Sequence, residues 1–286
     1  MINYEAEKQI NNKKLESNRK KLQLFYEKLA YEGNHDSALY TRPTGIERRL
    51  QIVKILNLGK KDVILDIGCG DGSISEIFLK NIKLAIGVDI SKTRLRRAKN
   101  KGLKVILIND ASEIPLKSNS VDKAICTEVL EHVLQPGKVL GEINRILKKG
   151  GILVLTAPLN EPLRNTLLDV PLKDVKNLSY NKLKEKYGLR DAHLWPFSQK
   201  NLIDYLKVNG FKIDDVSYTY EYIPRKLFKM IITIILSLYN FCLKHPHLRR
   251  IIDPFYKGMY LRNIFRMYTK TDIKHHIIIK STKIGE

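Results

Sequence analysis

An apolar run, Val63-Ile64-Leu65-Asp66-Ile67, passes without a spacer into Gly68-Cys69-Gly70-Asp71-Gly72. A short run of this kind, stopped by glycine, reads as a strand covered on both faces, the type found in parallel sheets. Glycines at alternate positions permit a tight turn and let a ligand approach the backbone closely. The pattern then becomes helical over Ser73–Lys80. The first N–H groups of such a helix have no internal partner and point back at the loop. Strand, glycine turn and helix in this order make the loop a candidate ligand site, although a glycine loop alone fits a structural turn equally well. The dinucleotide spacing GxGxxG is not met, because Ser73 stands where its third glycine would be. A nicotinamide dehydrogenase is therefore disfavoured.

The same alternation continues downstream. Candidate strands are Leu84–Val88, Lys104–Ile108, Lys123–Cys126 and Gly151–Thr156, with helical patterns over Lys92–Lys101 and Pro136–Lys148. Repeated strand–helix units predict an α/β fold with a parallel sheet, helices on both faces and right-handed crossovers. Phe211–Tyr222 and Ile273–Lys280 read as two further strands, an antiparallel pair at one edge. Upstream, residues 5–32 are charged and helix-prone. A second helix follows Pro43, with Ile46, Leu50, Val53, Ile55 and Leu56 at helical intervals. The expected organisation is an N-terminal helical segment or lid over 1–44 (with Tyr40 and Arg42 at its end), a core over 45–222, an insertion over 223–271, and a last core strand with tail over 272–286. Residues 159–192 read as a further insertion.

Two acids mark the ends of the next strands. Ile86-Gly87-Val88-Asp89-Ile90 places a carboxylate where it can accept both hydroxyls of a ribose, with Ile90 offering an apolar face to a ring. Asn109-Asp110-Ala111 places another where it can accept from an adenine amino group. Each acid alone could be a turn or cap residue; in order, each ending a strand, they form one constellation.

The stretch from Val63 to Val133 resembles the S-adenosylmethionine (SAM)-binding half of class I methyltransferases, in particular the small-molecule group that includes the ubiquinone and menaquinone methyltransferases. The resemblance continues through Asn119-Ser120-Val121-Asp122-Lys123, Thr127-Glu128-Val129-Leu130-Glu131-His132-Val133 and Leu147-Lys148-Lys149-Gly150-Gly151-Ile152-Leu153. In the last, Lys149 replaces the family's proline. His193-Leu194-Trp195-Pro196-Phe197-Ser198 and Asn209-Gly210-Phe211 extend it to roughly residues 45–215. It implies a seven-stranded Rossmann-like sheet of order 3-2-1-4-5-7-6. It implies SAM as donor and S-adenosylhomocysteine as product. Asp66, Gly68, Cys69, Gly70 and Gly72 would hold the amino-acid end of the donor, Asp89 the ribose and Asp110 the adenine; Ile90, Ala111 and Glu128 complete the expected cofactor-binding set.

For catalysis, Glu128, Glu131 and His132 fall at i, i+3 and i+4 of an expected helix start, hence near one face. His132 is a candidate base for a hydroxyl acceptor because the unperturbed pKa of histidine lies near physiological pH, and Glu128 is a second candidate catalytic residue. Glu131-His132 equally suits a pocket wall. In some ubiquinone O-methyltransferases a similar acidic–acidic–histidine set is associated with a divalent cation; no metal ligands are assigned here. His193 and Trp195 border the acceptor side or simply pack, and His275 and His276 read as structural.

Composition narrows the partners. With 286 residues and 43% hydrophobic content, the chain can bury a substantial core. Cys69, Cys126 and Cys242 show neither disulfide-framework nor paired zinc spacing, which suits a reducing cytoplasmic setting. No signal peptide and no apolar run of spanning length is read. The net charge of +21 has two readings, an anionic partner or the Ile/Lys/Asn bias of an AT-rich genome. Its distribution is uneven: from 223 to 286 there are thirteen basic residues against three acidic. Within 225–244, Lys226, Lys229, Thr233, Ser237, Asn240 and Lys244 form one narrow polar stripe on an otherwise apolar helical pattern. So wide an apolar arc requires burial, a partner subunit (a homodimer) or lipid. With the basic and aromatic residues up to 268 it resembles an interfacial anchor to an anionic membrane, on its inner face. The expected acceptor is accordingly a small molecule or lipid-linked compound, methylated at oxygen or carbon. RNA is the rival substrate, but Cys126-Thr127-Glu128 stands where a base methyltransferase carries its DPPY or Pro-Cys signature. A non-catalytic SAM-binding regulatory protein is the rival of another class.

Overall fold

A computed structural model describes residues 12–32, 43–108, 110–159, 166–188, 193–224 and 268–284. Two helices come first, α1 (Asn12–Glu32) and α2 (Pro43–Leu56). The core then runs β1 (Val63–Ile67), β2 (Leu84–Asp89), α3 (Lys92–Asn100), β3 (Lys104–Leu107), β4 (Val121–Thr127), α4 (Pro136–Ile146) and β5 (Leu147–Pro158). Next come α5 (Leu172–Asn177), α6 (Tyr180–Tyr187), α7 (Gln199–Val208), β6 (Phe211–Pro224) and β7 (Tyr268–Lys283). The strands form one sheet of order β3-β2-β1-β4-β5-β7-β6, as the resemblance implies. The first five pair in parallel, and β7 runs antiparallel between β5 and β6. This is the class I methyltransferase fold.

Register explains where a site can lie. Ile67 of β1 pairs with Val88 of β2 and Cys126 of β4, so the three strands end at one level. The loops after them, carrying Gly68, Ile90 and Glu128, therefore open on the same edge. This is the crevice at the carboxyl ends of strands where α/β sheets bind ligands. Both sheet faces are dry: one packs Leu65, Ile67, Cys126 and Leu155 against α4 and α7, the other Ile64, Ile125 and Val154 against Ile52 and Leu56 of α2.

Several expectations shift. Ser73–Lys80 does not form an α-helix but two short 3₁₀ turns, Ser75–Ile77 and Leu79–Asn81. The Ser75 hydroxyl is bonded to Asp66 at 2.6 Å and Phe78 is fully buried, so loop packing overrides the helical period. The last two strands are longer than expected. Residues 166–188 of the first insertion fold as α5 and α6 against α1, through Leu15, Leu22 and Phe25 facing Leu167, Val175 and Leu183. Tyr40, Arg42 and the stretch 225–267, with its expected amphipathic helix, lie outside the described residues.

Candidate active site

Gly68 adopts φ +62°, and a Cβ there would meet the Val129 side chain at 2.5 Å. Only glycine lets the loop after β1 pass so close to the turn after β4. Beneath the loop, Asp66 is buried and accepts from Ser75. Burial pushes its carboxyl up to about 7; the Ser75 bond opposes this, and the nearby charges of Asp89 and Asp71 add to it. Asp71 is tied to Lys101 at 3.0 Å and to the Ser73 hydroxyl at 2.6 Å. Burial also pushes the Cys69 thiol up, with the three neighbouring aspartates adding to it, so it is not a thiolate nucleophile.

A cleft opens above the loop, with about 670 Å³ of empty space including the part open to solvent. Gly68, Asp89, Ile90, Asp110, Ala111, Glu128 and His132 all line it. Asp66, Cys69, Gly70 and Gly72 do not; they form the support under it. The carboxylate of Asp89 is pinned, one oxygen by the Gly70 N–H at 3.0 Å and the other by the Ser91 N–H at 2.8 Å. Each oxygen keeps a lone pair for a further donor, as a ribose diol needs. Asp110 is held by the Ser112 N–H at 2.9 Å and by Arg19 Nε at 2.9 Å.

Arg19, Leu22 and Tyr26 of α1 close one side of this cleft. Sequence reasoning named the segment a lid but not these residues; their signal was only the apolar stripe of Leu15, Leu22 and Phe25. Arg19 also reaches Glu113 at 2.8 Å. Further along α1, Glu27 accepts from the Ser91 hydroxyl at 2.6 Å, the Thr93 hydroxyl at 2.5 Å and the Thr93 N–H at 3.2 Å, capping α3. Burial pushes the Glu27 carboxyl up, but these bonds together outweigh it and hold it below the usual range.

The expected one-face set of Glu128, Glu131 and His132 does not form. The segment is a 3₁₀ turn over Leu130–His132, and Glu128 takes φ +54°. That carboxylate turns to Arg48 Nη1 at 3.1 Å, His276 Nε2 at 2.9 Å and the Thr156 hydroxyl at 2.7 Å. Burial alone would raise its pKa, but Arg48, then His276 and Thr156, hold it well below the carboxylate range. A carboxylate so stabilised is a weak base. It reads as a fixed negative charge in the wall. His276, expected to be structural, is one of its anchors.

His132 lines the cleft beside Tyr26, at 5.7 Å between ring centroids, and beside His193 at 4.7 Å. Trp195 Nε1 donates to the Val133 carbonyl at 2.7 Å, so it packs and at the same time fixes the segment carrying His193. Among the described residues, His132 is the histidine that lines the cleft.

The fold around this cleft is that of class I methyltransferases. Residues 65–155 match the family model described as a methyltransferase domain. Over 132 residues it is 36% identical to an uncharacterised protein of Methanocaldococcus jannaschii, covering 46% of this chain and 49% of that one. Over 117 residues it is 37% identical to the ubiquinone/menaquinone biosynthesis C-methyltransferase of Campylobacter jejuni, covering 38% of this chain and 50% of that enzyme. The chain thus spans about half the length of these curated relatives. A solved SAM-dependent methyltransferase of Thermotoga maritima superposes with a TM-score of 0.56 at 22% identity, covering 92% of this chain and 99% of that one, a likeness of fold.

Proposed function

We propose that this chain transfers a methyl group from SAM to a small-molecule or lipid-like acceptor, at oxygen or carbon. The observation that carries the reading is the convergence of Gly68, Asp89 and Asp110 on one cleft at the carboxyl ends of β1, β2 and β4. Bound there, SAM supplies an electrophilic methyl group on a sulfonium centre. The chain's own work is mainly placement, since an in-line displacement at such a carbon is limited by orientation. Asp89 holds the ribose hydroxyls, Asp110 the adenine amino group, and Ile90 the face of the ring. Where the acceptor is a hydroxyl, His132 takes its proton as the oxygen bonds to carbon. The basic, apolar stretch 225–268 supports a lipid-like acceptor met at an anionic surface.

Calorimetric titration of SAM and S-adenosylhomocysteine into wild type and Asp89→Ala tests the donor site. Wild type should bind in the micromolar range, roughly −8 kcal/mol, and the variant at least tenfold more weakly. Folded wild type that binds neither compound would overturn the reading.

A further inference from the structure

We propose that Glu131, His132 and His193 bind a divalent transition-metal ion at the edge of the cofactor cleft. One donor atom from each lies within 4.8 Å of the others. The Glu131 carboxylate is fully buried, and one of its oxygens stands 3.8 Å from His132 Nε2. The two imidazole rings are tilted by 53° rather than stacked, so their nitrogens can turn toward a common point. Ligands sharing one tetrahedral ion at about 2.1 Å lie about 3.4 Å apart. Closing the cluster therefore takes shifts on the order of 1 Å, within reach of imidazole rotation.

The cluster is assembled by the fold. His193 comes from a segment sixty residues downstream of the Glu131-His132 turn, and hydrogen bonds tie the segments together beside it. The Leu194 N–H donates to the Glu131 carbonyl at 2.6 Å, and Trp195 Nε1 to the Val133 carbonyl at 2.7 Å. Glu128 has no part in the site, being held by Arg48 and His276.

Two imidazoles and one carboxylate select Zn²⁺, Mn²⁺ or Fe²⁺ over Mg²⁺ and Ca²⁺, which prefer oxygen donors throughout. Three protein ligands also leave coordination positions open. Because His132 borders the cleft as well, an acceptor oxygen is the natural occupant of such a position; this part rests on the methyl-transfer reading. The roles of His132 are exclusive, since a lone pair given to an ion cannot also take a proton. With the ion bound, the acceptor's acidity is raised by the metal instead.

The test is calorimetry on tag-free, chelator-treated full-length protein with Zn²⁺ and with Mg²⁺, and S-adenosylhomocysteine titrated in parallel. Expected are one equivalent of Zn²⁺ at micromolar affinity and Mg²⁺ at least a hundredfold weaker. His193→Ala should weaken Zn²⁺ at least tenfold with its thermal unfolding and S-adenosylhomocysteine affinity retained, and His132→Gln should weaken it likewise. No saturable Zn²⁺ binding, or equal affinity in wild type and both variants, would overturn the site. The parallel titration separates that failure from a failure of the methyltransferase reading.

Discussion

Glu128 and Asp66 show how burial can move two carboxylates in opposite directions. Both are withdrawn from water, but Glu128 faces Arg48 and His276, whereas Asp66 has a hydroxyl and two other acids for company. Glu128→Gln should leave Arg48 facing a neutral amide and cost about 3–5 kcal/mol in urea unfolding. Because the native pKa of Glu128 is depressed, its contribution is full above the ordinary value of 4.5 and declines as pH falls below it. That decline should be absent in the variant. Asp66 has the reverse sign. Its native form keeps a proton between 3.8 and about 7, where the unfolded chain has lost it. Stability therefore falls as pH rises through that window, by at most about 4 kcal/mol. Asp66→Asn, which still accepts from Ser75, should flatten the slope; chemical unfolding at pH 5 and pH 8 reads the difference. An unchanged slope would place the titration elsewhere.

Among the elements, α1 matters most to the site, although it lies before the matched domain. Its apolar stripe packs on the segment 167–183, and its polar side meets the cleft through Arg19 and the start of α3 through Glu27. The helix thus joins the adenine-side acid to the ribose-side strand. Glu27→Ala removes bonds from Ser91 and Thr93 at once. It should cost about 1–2 kcal/mol and speed amide exchange along both α1 and α3. Faster exchange confined to α3 would mean that α1 is held by its apolar contacts alone.

For the molecule as a whole, charge and hydropathy are divided unevenly between the α/β core and the stretch 225–268. No helix among the described residues is long and apolar enough to cross a membrane. The basic residues of the stretch 225–268 make attachment to an anionic surface depend on charge. Partition into anionic liposomes should exceed partition into zwitterionic ones at least tenfold at low salt, and the excess should shrink at high salt as phosphate charges are screened. Equal, negligible partition into both would leave the apolar arc to burial or a partner subunit.

The sheet and the donor constellation were legible in the amino-acid sequence because they are local. The apolar run at Val63–Ile67, its glycines, and the acids Asp89 and Asp110 each read within a few residues, and strand–helix alternation orders them. The sequence alone thus determined the fold class, the edge on which the site opens and the donor it resembles. Tertiary structure decided what depends on distant partners. It replaced the helix expected after the glycine loop with short turns, because Ser75 and Phe78 answer to Asp66 and the core. It drew Glu128 away from His132, because Arg48 and His276 arrive from helices and strands far along the chain. It brought Arg19 to Asp110 across 91 residues and His193 to His132 across 61. Periodicity carries no signal for such meetings, since they are set by how whole elements pack rather than by any local spacing.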